Sequence, residues 1–166
     1  MLALTTDRGW TTKRGVKEIL RPYLASMEEE GDVLGSFEPF QGLKGEAAAK
    51  LLEVIPPELL TDRQNFAPIA GDLLRAAVNN ENVELVGYAI GPDRLDERVS
   101  IEGFVYFGAL EYMVCTFHEE KCECEDLWSR LQTELGLESA LDFPDEIRRL
   151  RPSWRPQDEG WWVWWD

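Results

Sequence analysis

The spacing of apolar residues changes near residue 80, and this change limits the class of fold that the chain can adopt. Before residue 80, apolar side chains recur every three or four residues, which is typical of one face of a helix. After it, the segments 83–90, 99–107 and 110–117 are rich in β-branched and aromatic residues and are separated by short turn signals. Three successive strands with short connections predict an antiparallel meander.

The first half of the chain is predicted to be helical. Helical spacing covers about 12–29, with a kink or break expected at Pro22, which lacks a backbone donor. It also covers about 45–55 and 65–78, where Asn65 is a candidate cap. The glycine- and proline-containing segment 31–43 is predicted to be a loop, with Phe37 and Phe40 exposed.

The last third is predicted to return to helices and to end in a strand. We expect helices over 125–135 and 144–150, followed by a strand over 161–165. The whole pattern predicts a single α+β domain over residues 1–166. Its N-terminal helices would precede a three-stranded antiparallel meander, two short helices and a C-terminal strand that completes the sheet.

The charge of the chain restricts its partners. It carries 32 acidic and 17 basic residues, a net charge of −15. A field of that sign repels nucleic-acid phosphates and anionic lipids and attracts basic proteins. We therefore expect a basic protein partner, no direct contact with nucleic acid and no membrane association. Three cysteines and no apolar run of signal-peptide length predict reduced thiols and a cytoplasmic location, and no cofactor is expected.

One acidic run stands out as a candidate docking surface. Residues 111–166 hold fourteen acidic and six basic residues, and within them five acids fall in eight positions. These five are the predicted partner-binding residues: Glu119, Glu120, Glu123, Glu125 and Asp126. The alternative is that the run is only solvated, with Glu125 and Asp126 placed where the dipole of the next helix favours negative charge.

Every cysteine and the only histidine lie within ten residues of one another. Cys115, His118, Cys122 and Cys124 offer the thiolate and imidazole groups that zinc prefers. Their spacing does not match the common ligand pairs, and a strand over 110–118 would place Cys115 and His118 on opposite faces. The expectation is therefore that they bind no metal. A small metal-binding protein or enzyme centred on this cluster is the alternative.

Four of the seven tryptophans fall in the last six residues. On a strand, Trp161, Val163 and Trp165 would face one way, while Trp162 and Trp164 would face the other. Large aromatic side chains usually fill the domain's own core, but tryptophan is also enriched in interfaces. A third interpretation is thus an assembly subunit that forms homo-oligomers through this C-terminal strand.

The sequence contains no familiar catalytic motif. A phosphate-binding glycine loop, a nucleophile elbow and a His-Glu-x-x-His pair are all absent, and no catalytic residue is predicted. The resulting hypothesis is an acidic, non-enzymatic protein that binds a basic protein, as an inhibitor, an immunity protein or a phosphate mimic would.

Overall fold

The computed structural model describes residues 7–25 and 31–166. Within them, six helices and a five-stranded antiparallel sheet are present, which confirms the α+β class. The end of the predicted helix 12–29 lies outside the described residues. No helix in the two described ranges has the length and apolar character needed to cross a bilayer.

The predicted first helix is divided into short pieces. The helices are α1 (Trp10–Lys13), α2 (Val16–Leu20), α3 (Gly45–Val54), α4 (Pro57–Leu60), α5 (Ala70–Asn79) and α6 (Cys124–Leu135), and Arg21–Tyr23 form a 3₁₀ turn. Gly15 separates α1 from α2 because its φ of 71° is left-handed. Pro22 lies in the 3₁₀ turn, so the break expected there is confirmed.

All neighbouring strands of the sheet are antiparallel. In chain order they are β1 (Glu38–Leu43), β2 (Val83–Ile90), β3 (Arg98–Tyr106), β4 (Glu146–Leu150) and β5 (Gly160–Trp164). Their order across the sheet is β1-β2-β3-β5-β4. The predicted strands β2, β3 and β5 are confirmed, and β5 completes the sheet by pairing with β3 on one side and β4 on the other.

The predicted third strand of the meander, residues 110–117, is not a strand. This segment has no ladder partner and carries no strand assignment. The physical reason is competition for an edge: β3 already pairs with β2 on one side and with β5 on the other. The segment therefore leaves the sheet, and its main chain becomes part of a loop that leads to α6.

Residues 144–150 are a strand rather than the predicted short helix. In β4, Ile147 is 1 % exposed, while its neighbours Arg148 and Arg149 are exposed. An interval of three between Ile147 and Leu150 fits a helix turn, but so short a segment cannot separate the two periods. Pairing with β5 decides in favour of the strand.

The predicted loop 31–43 contains the edge strand β1. Phe40 is 2 % exposed rather than exposed, whereas Phe37 is 54 % exposed and its ring lies 4.9 Å from that of Tyr88. Pro39 is tolerated because β1 has only one neighbour, apart from a single bridge between Leu24 and Phe40. Gly42, at φ 72°, lies at an irregularity in the register.

The helix predicted over 65–78 begins five residues later than expected. Asn65 has a left-handed φ of 49° and does not cap the helix. Instead, Ile69 precedes α5, and its amide donates to Ser139 Oγ over 3.0 Å. The predicted end near Asn79 is confirmed.

One face of the sheet packs against the helices and forms the core. Helix α5 contacts β2 and β3, and α6 contacts β4. The C-terminal segment 161–165 contributes to this core with the alternation predicted for a strand: Trp161, Val163 and Trp165 are at most 3 % exposed. Trp162 and Trp164 lie half-buried on the other face, where their indoles donate to Glu146 and Glu102.

Candidate functional site

The cysteines, the histidine and the acidic run lie in the loop that follows β3 and in the first turn of α6. We call residues 113–124 the cysteine loop. Its two ends are joined by two hydrogen bonds: Glu123 N donates to Met113 O (2.7 Å), and Met113 N donates to Glu123 Oε2 (2.5 Å). The Glu123 side chain therefore has a structural role in closing the loop.

The cysteine loop brings together side chains that the sequence interpretation kept apart. The amide of His118 donates to Cys115 O over 3.2 Å, and His118 has a left-handed φ of 50°, so the chain reverses there. His118 Nδ1 lies 3.5 Å from Cys122 Sγ. The donor atoms of His118, Cys122 and Cys124 all lie within 4.8 Å of one another.

The fourth candidate, Cys115, neighbours the same sulfur atom. Its backbone amide donates to Cys122 Sγ over 3.1 Å, and the two thiols interact. The expected separation of Cys115 and His118 on opposite faces of a strand is thus wrong, because this segment is not a strand. The structure does not test the expected absence of a metal, and the geometric argument for that absence no longer applies.

Backbone amides lower the pKa of each of the three thiols. The amide of Glu119 faces Cys115, and the amide of Glu125 faces Cys124. Cys122 receives the amides of Cys115 and Cys124. An N–H donor stabilises a thiolate more than a thiol, but this effect outweighs burial only at Cys122, whose Sγ lies 3.1 Å from the Cys115 amide nitrogen.

The three thiols have different acidities. Burial and then the neighbouring Cys122 sulfur raise the pKa of Cys115 above its usual value and that of Cys124 to about 11. Burial also disfavours the thiolate of Cys122, but the Cys115 amide and the His118 ring outweigh it and lower its pKa to about 7. Cys122 is therefore the most acidic of the three.

The five predicted docking residues are all exposed but are not equivalent. Glu119 and Glu120 lie in the loop, and Glu125 and Asp126 lie in the first turn of α6, where the helix dipole stabilises negative charge. The carboxylate of Glu123 already accepts an internal hydrogen bond. No salt bridge to any of the five is present in the part of the chain that the structure describes.

Most arginines, by contrast, are paired with acids elsewhere in the fold. The buried Glu84 carboxylate lies 2.7 Å from Arg155, and Asp96 contacts both Arg94 and Arg98. Further arginines in ion pairs are Arg21, Arg75, Arg130, Arg148, Arg149 and Arg151. The acids of the cysteine loop, like other exposed acids such as Glu46 and Glu138, keep their negative charge without a salt bridge in the described ranges.

A cleft of about 750 Å³ lies between the cysteine loop and β4. Cys115 and His118 line the loop side, and Arg148 and Arg149 line the strand side. The sequence interpretation missed this cleft because it placed the two arginines on a helix. No sequence signal marked this strand, because the two successive charged residues after Ile147 break the alternation expected of a strand.

The tryptophan-rich strand offers little backbone for assembly. The β5 main chain is paired along both edges, and Trp161 and Trp165 are buried in the core. Only the half-exposed faces of Trp162 and Trp164 remain for another molecule. Assembly through this strand stays a prediction.

Comparison with protein-family models, with curated proteins and with solved structures finds no match to this chain.

Proposed function

We propose that this protein is an acidic, non-enzymatic binding protein that docks a basic protein partner through the cysteine loop and the start of α6. The observation that carries the proposal is the clustering of four exposed carboxylates within eight positions, those of Glu119, Glu120, Glu125 and Asp126. A partner of this kind is what an inhibitor, an immunity protein or a phosphate mimic would bind.

The expected contribution of these carboxylates is mainly kinetic. Exposed charges attract an oppositely charged protein over about one Debye length, roughly 8 Å at physiological ionic strength. They raise the association rate and make it fall with salt, while single rim charges contribute little to the final affinity. Glu123 is left out of the docking set because its carboxylate closes the loop.

The test compares two variants with the same change in charge. The first carries Glu119→Gln, Glu120→Gln, Glu125→Gln and Asp126→Asn. The second is a matched control with the same change in charge at four exposed acids outside the site: Glu46→Gln, Glu53→Gln, Glu81→Gln and Glu138→Gln. Wild type and both variants are used to capture proteins from the native lysate at low and at high salt. The captured protein is then purified for association kinetics.

The proposal expects a basic protein that wild type and the control capture at low salt and that the loop variant loses. With purified partner, the loop variant should show an association rate lowered about tenfold or more and a shallower salt dependence than the control. Equal rates and equal salt slopes for the two variants would contradict the proposal. So would capture of a partner whose binding is insensitive to salt.

The cytoplasmic location belongs to this proposal. Its support is that Cys115, Cys122 and Cys124 are all free thiols. Fractionation of cells that express the tagged chain should recover it in the cytoplasmic fraction, and recovery with secreted proteins would contradict the assignment.

A further inference from the structure

Two donor atoms of the cysteine loop are spaced as in a tetrahedral metal site, and a third lies near both. With zinc–sulfur and zinc–nitrogen bonds of about 2.0–2.3 Å, the donor atoms of a tetrahedral site lie roughly 3.4–3.8 Å apart. The distance of 3.5 Å between Cys122 Sγ and His118 Nδ1 falls in this range. The donor atom of Cys124 lies within 4.8 Å of both.

We propose that this loop binds one Zn²⁺ ion through Cys115, His118, Cys122 and Cys124. Three thiolates and one imidazole are a common ligand set for structural zinc, and soft sulfur donors disfavour magnesium and calcium. Cys115 is assigned as the fourth ligand because its amide lies 3.1 Å from Cys122 Sγ; its own sulfur lies outside the group of three and must turn toward the ion. A full set of four protein ligands makes this a structural site rather than a catalytic one.

The surroundings of the four ligands support this assignment. The Cys115 amide donates to Cys122 Sγ over 3.1 Å, a contact of the kind that stabilises a thiolate bound to a metal ion. Cys124 is the first residue of α6 and is 7 % exposed, so one ligand is fixed to the core. Cys115 and His118 line the cleft beside β4, which gives the ion a path from solvent.

A disulfide accounts for less of the geometry. It would join two of the three sulfur atoms and leave the third cysteine and His118 without a role. It would also need an oxidant, whereas zinc binding only releases the thiol protons. Zinc uses all four side chains at once, and the bound cluster would carry a net charge of −1. The zinc site therefore does not depend on a basic partner and leaves the nearby acidic charge in place.

The experiment measures metal in the protein itself. Wild type purified from zinc-supplemented medium is analysed by elemental mass spectrometry, and the chelator-treated protein is then titrated with Co²⁺ and followed by absorption. Cobalt bound to several thiolates in a tetrahedral site gives strong sulfur-to-metal bands and intense visible bands. The ligand variants are Cys122→Ser, Cys115→Ser and His118→Ala, and the control is Thr116→Ala, at an exposed position in the same loop.

The proposal expects about one zinc per chain in wild type and in Thr116→Ala. It expects Cys122→Ser to lose stoichiometric metal, and Cys115→Ser and His118→Ala to bind at least tenfold more weakly. His118 is exposed, so His118→Ala tests the site even if a cysteine variant fails to fold.

Three results would overturn the zinc site. The first is wild-type protein with neither zinc nor a tetrahedral cobalt spectrum. The second is unchanged binding in Cys122→Ser. The third is an intact mass about 2 Da lower than the reduced chain under aerobic purification, which indicates a disulfide. Unchanged binding in Cys115→Ser would overturn the assignment of the fourth ligand.

Discussion

At the scale of single residues, Glu84 shows how this acidic chain keeps a carboxylate inside the fold. Its side chain is 2 % exposed and lies on the sheet face opposite the core. It accepts from Arg155 Nη1 over 2.7 Å and from Trp154 Nε1 over 2.8 Å. A buried carboxylate with two donors is stable, but removing its charge leaves the arginine without its buried partner.

We predict that Glu84→Gln destabilises the protein by about 1–3 kcal/mol. The neutral glutamine side chain has only one accepting oxygen and no negative charge to offer to the two donors. Asp158→Asn is the control, because Asp158 pairs with the same Arg155 but is exposed, and exposed pairs contribute about 0–1 kcal/mol. Urea unfolding of both variants checks this. A control that costs as much as Glu84→Gln would contradict the prediction.

Gly42 lies beneath the Trp154 ring in a left-handed conformation. A Cβ atom at Gly42 would lie 2.6 Å from Trp154 Cδ1, and the φ of 72° is already unfavourable for alanine. Gly136 has nearly the same φ, 71°, but open space around it. Comparing alanine substitutions at the two glycines therefore separates the free-energy cost of the left-handed backbone from the cost of the clash with Trp154.

We predict that Gly136→Ala lowers the free energy of unfolding by about 1–2 kcal/mol through its backbone alone. Gly42→Ala should cost about 1–3 kcal/mol more, since Trp154 must move. Chemical denaturation of the two variants gives the difference directly. Equal costs would mean that Trp154 moves aside freely.

At the scale of elements, Glu97 attaches the N-terminal helices to the rest of the fold. This carboxylate is 9 % exposed and accepts from Gly9 N (2.7 Å), Thr11 N (3.1 Å) and Thr11 Oγ1 (2.5 Å). It accepts hydrogen bonds from amides at the start of α1, which have no partner within the helix, although it lies 86 residues away from Thr11 in sequence. Helix α1 is only four residues long and depends on this contact.

We predict that Glu97→Ala loosens α1 without opening the sheet. Amides of α1 should exchange with solvent about tenfold faster or more, which corresponds to a loss of at least 1.4 kcal/mol locally. Hydrogen exchange read by mass spectrometry checks this, with β2 and β3 as internal controls. Equal acceleration in α1 and in the sheet would instead indicate a global loss of stability.

The sequence was most informative where an element has one clear period. The alternation in β5 correctly separated Trp161, Val163 and Trp165 from Trp162 and Trp164. The prediction of a strand over residues 110–117 was wrong because strand propensity does not decide which segment pairs with the edge of β3. The prediction of a helix over residues 144–150 was wrong because the five residues of β4 are too few to distinguish a strand from a helix turn.

The candidate site was found by composition, but its geometry was not. The sequence located the five acids and the four potential metal ligands in one segment. It could not show that Glu123 closes the loop, nor that His118 turns toward Cys122, because both depend on a left-handed reversal at His118. A histidine at a positive φ carries no local sequence signature.

At the scale of the whole molecule, the net charge of −15 opposes compaction. We predict that raising salt from about 10 to 300 mM stabilises the protein by on the order of 1 kcal/mol, or about 2–4 °C in Tm, because screened repulsion outweighs weakened surface ion pairs. Calorimetry checks this, with an uncharged osmolyte as the control for excluded volume. The variant in which Glu119, Glu120, Glu125 and Asp126 are neutralised should respond less to salt than wild type. A Tm that falls with salt would contradict the prediction.

The order of the strands also has a consequence for synthesis on the ribosome. β5 lies between β3 and β4 in the sheet, although it follows both in the chain. Until residues 160–164 have left the exit tunnel, β4 has no neighbour to pair with, and the core beside α6 lacks Trp161 and Val163. The nascent chain must therefore hold a partly exposed apolar surface until these residues emerge. That surface is the one a chaperone would meet.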